Sequence, residues 1–281
     1  MQMEQQKSLV VITWDGVSTP LSCILKDANQ NFDILIYDYS GLAKQPEIAT
    51  ITSHHFVSIK SECKGDILQN VHSYLTKIQN LPYKYIGILD DDIYFSITDL
   101  NKLLFIAELE KLDVFQASLS HDSYYNHRNF IHKPGYQILK AWWVEIMSPF
   151  YSFGIFMEAG QYFDKSISGT GIDVYLIPTI QQLLNKTNTA VIHAVQMKHC
   201  RPIRTDGRIF SNGKTNLQEI QELNIFCREM VSAKMINVKK GFMENVLNKK
   251  YVFGIPLRDK IKRVLPMIKN LYQLIVDASY R

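Results

Sequence analysis

Tyr85-Ile86-Gly87-Ile88-Leu89-Asp90-Asp91-Asp92 runs straight into Ile93-Tyr94-Phe95. The apolar run is too short for a helix and reads as a buried strand. The three adjacent carboxylates at its end repel one another, and an apolar setting makes that worse. A bound divalent cation would relieve the repulsion. Strand ends in open α/β sheets are also where ligands bind. The plainer alternative is a solvated turn or a helix N-cap, both of which favour Asp. An EF-hand is a poorer alternative, since no Gly follows at the position of its sharp turn.

Working outward, Ser8–Thr13 and Phe32–Tyr37 read as further buried strands, and His55–Ile59 as a weaker one. Pro20–Asn29, Gly65–Asn80 and Ser96–Lys111 read as helices from their apolar spacing, with Ser96 as N-cap. Val114–Ser118 and Ala190–Met197 read as later strands, and Gly154–Phe163 and Asp173–Leu184 as helices. Strands alternating with helices predict a largely parallel sheet with crossover helices. The stretch 120–134 is rich in His, Asn, Tyr and Asp and reads as a polar loop of the kind that carries sites. Ala141–Phe153 is aromatic and reads as strand or close-packed loop. From about residue 216 the pattern turns helical. The expected organisation is an α/β domain over 1–215 and a helical extension over 216–281.

The chain of 281 residues is 46% hydrophobic and 21% charged, enough to bury a core. A net charge of +4 is too small to argue for nucleic acid. Cys23, Cys63, Cys200 and Cys227 are far apart and form no CxxC, so they read as reduced thiols. The N-terminal Met1-Gln2-Met3-Glu4 stretch opens no apolar segment of the signal-peptide kind, and no apolar run approaches the ~20 residues of a membrane span. The expected location is the cytoplasm, with peripheral attachment to the inner membrane face as an option.

Three further segments belong with the triplet: Trp142-Trp143-Val144-Glu145-Ile146-Met147-Ser148-Pro149, Ser168-Gly169-Thr170-Gly171-Ile172-Asp173, and Val191-Ile192-His193-Ala194-Val195-Gln196-Met197-Lys198-His199. The triplet resembles the Asp-x-Asp motif of GT-A glycosyltransferases. The four segments in this order resemble a bacterial and plant family of GT-A-like proteins of unknown function. Its segments are an acidic triplet after a strand, Trp-Val-Glu-x-Met-x-Pro, Gly-Trp-Gly-Leu-Asp, and a strand leading to His. The resemblance covers roughly 80–205, and residue 170 is Thr where the pattern has Trp. It implies a GT-A-like fold: a mostly parallel mixed sheet with flanking helices. It also implies a nucleotide-sugar donor (UDP by default) and a divalent metal held by Asp92, Asp90 and His199. Asp91 has a less defined part in donor binding. Imidazole in the ligand set favours Mn2+ over Mg2+. Asp38, at the end of the second strand, falls where GT-A folds contact the nucleoside.

Other roles follow from residue chemistry. Asp173, after Gly-Thr-Gly-Ile, reads either as a helix N-cap or as the base that takes the acceptor proton in an inverting transfer. Glu145 is a candidate for binding acceptor hydroxyls while Trp142 or Trp143 stacks on a sugar; the alternative is aromatic core with Glu145 turned out. Lys64 opens a helix whose N-terminus suits phosphate. Arg201 and Arg204 suit a diphosphate clamp, or form a solvated basic loop. His193, inside a strand, reads as packed core.

A metal-dependent transferase acting on a glycan or lipid-linked acceptor is the leading expectation. A nucleotidyltransferase would show a Gly-rich phosphate loop near the first strand, and residues 11–16 offer none. A non-catalytic carbohydrate-binding protein would be signalled by loss of Asp92 or His199, and both are present. Gly254–Arg281 carries Arg258, Lys260, Lys262, Arg263 and Lys269 beside an apolar stripe. It reads either as a helix on an anionic membrane surface or as a packing element. Pro256 and Pro266 interrupt a simple long helix.

Overall fold

A computed structural model of the protein describes residues 6–46, 54–78, 83–202 and 207–233. Its strands in chain order are β1 (Leu9–Trp14), β2 (Ile24–Leu25), β3 (Asp33–Asp38), β4 (His54–Ser58), β5 (Tyr85–Leu89), β6 (Ile93–Ser96), β7 (Val114–Leu119), β8 (Ile138–Lys140), β9 (Phe150–Ser152) and β10 (Thr189–His199). The helices are α1 (Lys64–Lys77), α2 (Ile97–Leu109), α3 (Phe153–Gly160), α4 (Ile177–Leu183) and α5 (Asn216–Ala233).

Among the described residues the strands form one sheet in the order β2-β6-β10-β7-β9-β5-β1-β3-β4, with β8 on β10. β4, β3, β1 and β5 are parallel neighbours. β9 is antiparallel to both β5 and β7, so those two run the same way, and β10 is parallel to β7. The main strands therefore bring their carboxyl ends to one edge, where ligands gather in such sheets.

Every residue of β1 and β5 is buried, because the sheet is covered on both faces. Alternate residues feed two cores. Val10, Ile12, Ile34, Ile36, Tyr85 and Leu89 pack with Leu100, Leu103 and Leu104 of α2. Val11, Leu35, Ile86 and Ile88 pack with α1, α3, α4 and α5 through Leu68, Phe156, Ile180 and Leu223. The fold is GT-A-like, as the sequence pattern predicts. Ser96 caps α2 as expected, its hydroxyl accepting from Asp99 N at 2.9 Å.

Pro20–Asn29 is not a helix. Leu21 has φ of 59°, which a helix cannot use, and Ile24–Leu25 pairs with β6. Strand pairing overrides the apolar spacing there. α5, the first part of the expected extension, buries Leu223, Cys227 and Met230 in the second core. Gly254–Arg281 and Arg204 lie outside the described residues.

Candidate active site

β5 ends at Leu89, and the next three residues turn into β6. Asp90 N bonds Met147 O at 3.0 Å, and Ile93 N bonds Asp90 O at 3.0 Å. β10 then closes on β6: His199 pairs with Ile93, and Cys200 N bonds Asp92 O at 2.9 Å. That pairing carries His199 and Arg201 to the triplet from more than 100 residues away. β10 reaches β6 after its register on β7 shifts between Ile192 and Gln196.

Each carboxylate has a different partner. Asp90 pairs with the Lys64 ammonium at the start of α1. Asp91 accepts from Tyr39 OH at 3.0 Å and pairs with the Arg201 guanidinium. Asp92 Oδ2 meets His199 Nε2 at 3.3 Å and Arg201 Nε at 2.8 Å. Burial pushes the Asp90 and Asp91 carboxyls up, against the pull of Lys64 and Arg201. For Asp92 burial also pushes up, but His199 and Arg201 outweigh it and hold the carboxyl below its usual range.

Asp92 Oδ1 is buried with no hydrogen-bond partner. His199 donates Nδ1–H to Tyr124 O at 2.9 Å, which fixes the ring orientation and turns Nε2 to Asp92. An orphaned carboxylate oxygen beside an oriented imidazole suits a divalent cation, and the nitrogen suits Mn2+. Among the described residues no group of three or more His, Cys, Asp or Glu side chains is placed to hold a metal ion, so the expected set of Asp90, Asp92 and His199 is not gathered as a three-residue site. Asp90, expected as a ligand, has one oxygen engaged by Lys64.

These groups line a cleft of about 530 Å³ that also takes in Tyr39, Asn126, His127, Glu145 and Asp173. The polar loop after β7 thus reaches the cleft through Asn126 and His127. Asp173 sits in a single π-helical turn, Ile172–Leu176. Its N-cap is Gly171, whose φ of 92° suits glycine, so Asp173 is not the cap. π turns often mark functional positions. Burial raises the Asp173 carboxyl to about 7, opposed by N–H groups of Asp173, Val174 and Ile146. Glu145 is 3% exposed, and its N–H bonds Gln116 Oε1 at 2.6 Å. Burial, and behind it the Asp173 charge, push the Glu145 carboxyl far above its ordinary range.

The loop before Asp173 is held by residues that the sequence did not single out. Gly65 donates to Ile167 O at 3.0 Å and lies so close to Ser166 that a Cβ would strike its carbonyl. Fully buried Glu219 of α5 accepts from Ile167 N and Ser168 N, both at 2.9 Å, and from Asn212 Nδ2 at 2.8 Å. Thr170, where the resemblance has Trp, donates its N–H to Ser168 Oγ at 3.0 Å within this loop. A buried carboxylate accepting backbone N–H groups is a staple that composition alone does not reveal.

Two expectations change. Asp38 is fully buried, and its carboxylate accepts from Ser40 N, Ala43 N and Ser58 Oγ at 2.8, 2.9 and 2.6 Å. It shapes its loop and has no surface for a nucleoside; its neighbour Tyr39 lines the cleft instead. Trp143 is 1% exposed, with His127 and Phe130 rings at 4.9 and 4.8 Å, so neither face is open to a sugar. Trp142 packs against both cores, and neither tryptophan lines the cleft. His193 is core, as expected, 2% exposed.

No protein-family profile and no curated protein sequence matches the chain. Solved structures do match. S. aureus TarS 1-349 in complex with UDP-GlcNAc superposes with a TM-score of 0.54 at 12% identity, over 86% of this chain and 70% of that one. The crystal structure of S. aureus TarS 1-349 gives 0.51 at 10%, over 86% and 69%. A longer form of TarS gives 0.51 at 9%, over 86% of this chain and 42% of its own. Identities this low establish a shared fold.

The half-buried Asp173 has a consequence for stability. Its folded pKa of about 7 lies above the unfolded value of ~3.9, so ionising it opposes folding as pH rises between the two. Asp173→Asn removes that penalty. The variant should melt higher than the parent at pH 8, with a smaller gap at pH 5. Thermal unfolding at both pH values checks this, and a gap that does not grow with pH contradicts it.

Proposed function

We propose that the chain is a metal-dependent glycosyltransferase that moves a sugar from a UDP-sugar to a hydroxyl of a glycan or lipid-linked acceptor, with inversion. The observation that carries this is the meeting of the triplet, His199 and Asp173 in one cleft at the carboxyl edge of a GT-A-like sheet. The order of the four sequence segments supports the same reading, as does the superposed TarS complex, which holds UDP-GlcNAc.

Asp92 and His199 would hold the cation, which when bound neutralises charge developing on a diphosphate leaving group. Lys64 and Arg201 flank the same carboxylates and offer their ammonium and guanidinium to phosphate oxygens. Asp173 takes the proton of the acceptor hydroxyl. The acceptor oxygen then bonds to the anomeric carbon as the bond to the diphosphate breaks, its electron pair leaving with the phosphate. One carboxylate that activates the acceptor hydroxyl suits direct displacement, by analogy with the base of inverting glycosidases.

Among the described residues no helix is long and apolar enough to cross a membrane. The basic, apolar-striped stretch 254–281 supports attachment to an anionic membrane surface on the cytoplasmic side, each basic residue adding on the order of 1 kcal/mol.

Asp92→Asn should abolish Mn2+-dependent UDP binding with little loss of fold; His199→Ala should weaken it less, since water can replace one ligand. Unchanged Mn2+ dependence in Asp92→Asn, read by calorimetry, removes the metal assignment. Asp173→Asn should leave donor binding intact and lower transfer at least ~10²-fold. Near-parental transfer, or a retained anomeric configuration in the product by NMR, rules out the inverting base. Deletion after about Tyr251 should remove co-sedimentation with anionic vesicles, and salt should weaken it in the parent. A full-length protein that ignores such vesicles at low salt is not a membrane-surface protein.

A further inference from the structure

Glu145 is an acid buried deep in a wet cleft. It lies in the block whose backbone is stitched to β5, through Asp90 N to Met147 O and Ile88 N to Pro149 O at 2.9 Å. Its own N–H is held by Gln116, which is fully buried. The side chain is therefore anchored at the wall and is 3% exposed. Yet its Oε2 has no hydrogen-bond partner in the protein, and the residue lines the cleft. His127 lines the same cleft and also leaves Nδ1 buried without a partner. A buried polar atom without a partner, on a residue that lines a cleft, is a place where a ligand group can complete the hydrogen bonding.

The charge around Glu145 narrows what that group is. Among the described residues the cationic groups lining the cleft are Lys64, His199 and Arg201, and all three gather at the Asp triplet, where the proposed diphosphate would use them; the one charge that bears on Glu145 is that of Asp173. Burial lowers the His127 imidazole, so it faces the cleft neutral. The other acidic neighbour is Asp173. Nothing there would balance an anionic sugar, and an unpaired buried anion is strongly disfavoured. A neutral carboxyl both donates and accepts, as a hydroxyl requires.

We infer that Glu145, with His127, forms a subsite for an uncharged hydroxyl of the donor sugar, so that the cleft selects neutral sugars over uronic acids. This rests on the reading of the cleft as a UDP-sugar site. It adds a specificity-determining residue that works as a protonated acid. A carboxylate or phosphate on the sugar would meet Asp173 and Glu145 with no counter-charge.

Calorimetric titration of the full chain with Mn2+ and UDP, UDP-glucose or UDP-glucuronate tests this. The parent should bind UDP-glucose at least ~10-fold more tightly than UDP-glucuronate, a difference of ~1.4 kcal/mol. Glu145→Gln stays neutral and hydrogen-bonding, so it should keep UDP-glucose affinity within ~3-fold and keep the preference. Glu145→Ala should weaken UDP-glucose ~10-fold and leave UDP unchanged. If the alanine variant does not fold, the glutamine variant and the parent preference carry the test. Equal binding of the two sugars by a parent that binds UDP overturns the inference and leaves the UDP-sugar reading standing. So does a glutamine variant that folds, binds UDP and loses UDP-glucose, since an ionised carboxylate would then be the working group. A parent that binds no UDP overturns the inference together with the reading beneath it.

Discussion

Asp90, Asp91 and Asp92 can share the end of β5 only because cations from separate parts of the chain reach them. At an effective dielectric of ~20, two like charges ~5 Å apart cost roughly 3 kcal/mol. Lys64 comes from the start of α1, and His199 and Arg201 from the end of β10. Each lies where it does because a strand or helix ends at the same edge of the sheet. The charge balance and the topology are therefore one constraint. The antiparallel pairing of β10 with β6 makes it possible, since it lays His199 beside Ile93 and Cys200 beside Asp92.

The balance is incomplete in a useful way. Asp90 and Asp91 have their cation or hydroxyl partners, while Asp92 keeps one buried oxygen without a hydrogen-bond partner. The imidazole of His199 is oriented by a carbonyl on its far nitrogen. A fully satisfied network would be rigid and inert; a single open acceptor among fixed donors is a ligand site. The surrounding order makes that one opening meaningful.

Asp173 and Glu145, which line the same cleft, have no cation partner of this kind among the described residues; burial pushes both carboxyls upward. Asp173 is presented by a π turn after a glycine-rich loop, and that loop is clamped between Gly65 of α1 and Glu219 of α5. α5 thus helps hold the loop before Asp173, although in sequence it begins the region read as an extension.

The candidacy of Asp92 and His199 came from the resemblance of four segments to GT-A-like proteins. The sequence by itself determined the strand that ends in carboxylates, the alternation that makes a parallel sheet, and the reading of Asp173 as cap or base. Those readings need only period, burial and residue chemistry, which are local. It offered Asp38 as a ligand residue, because a turn carboxylate and a ligand carboxylate look alike until their hydrogen bonds are seen. It offered Trp143 to a sugar, because an aromatic block carries no sign of which face is buried. It read a helix over Pro20–Asn29, where pairing with β6 won. Tertiary structure alone decided that Tyr39 bonds Asp91, that Lys64 meets Asp90, and that Glu219 holds the loop before Asp173. Each is a contact between residues more than 25 apart, and no local pattern records which distant partner will compensate a buried charge.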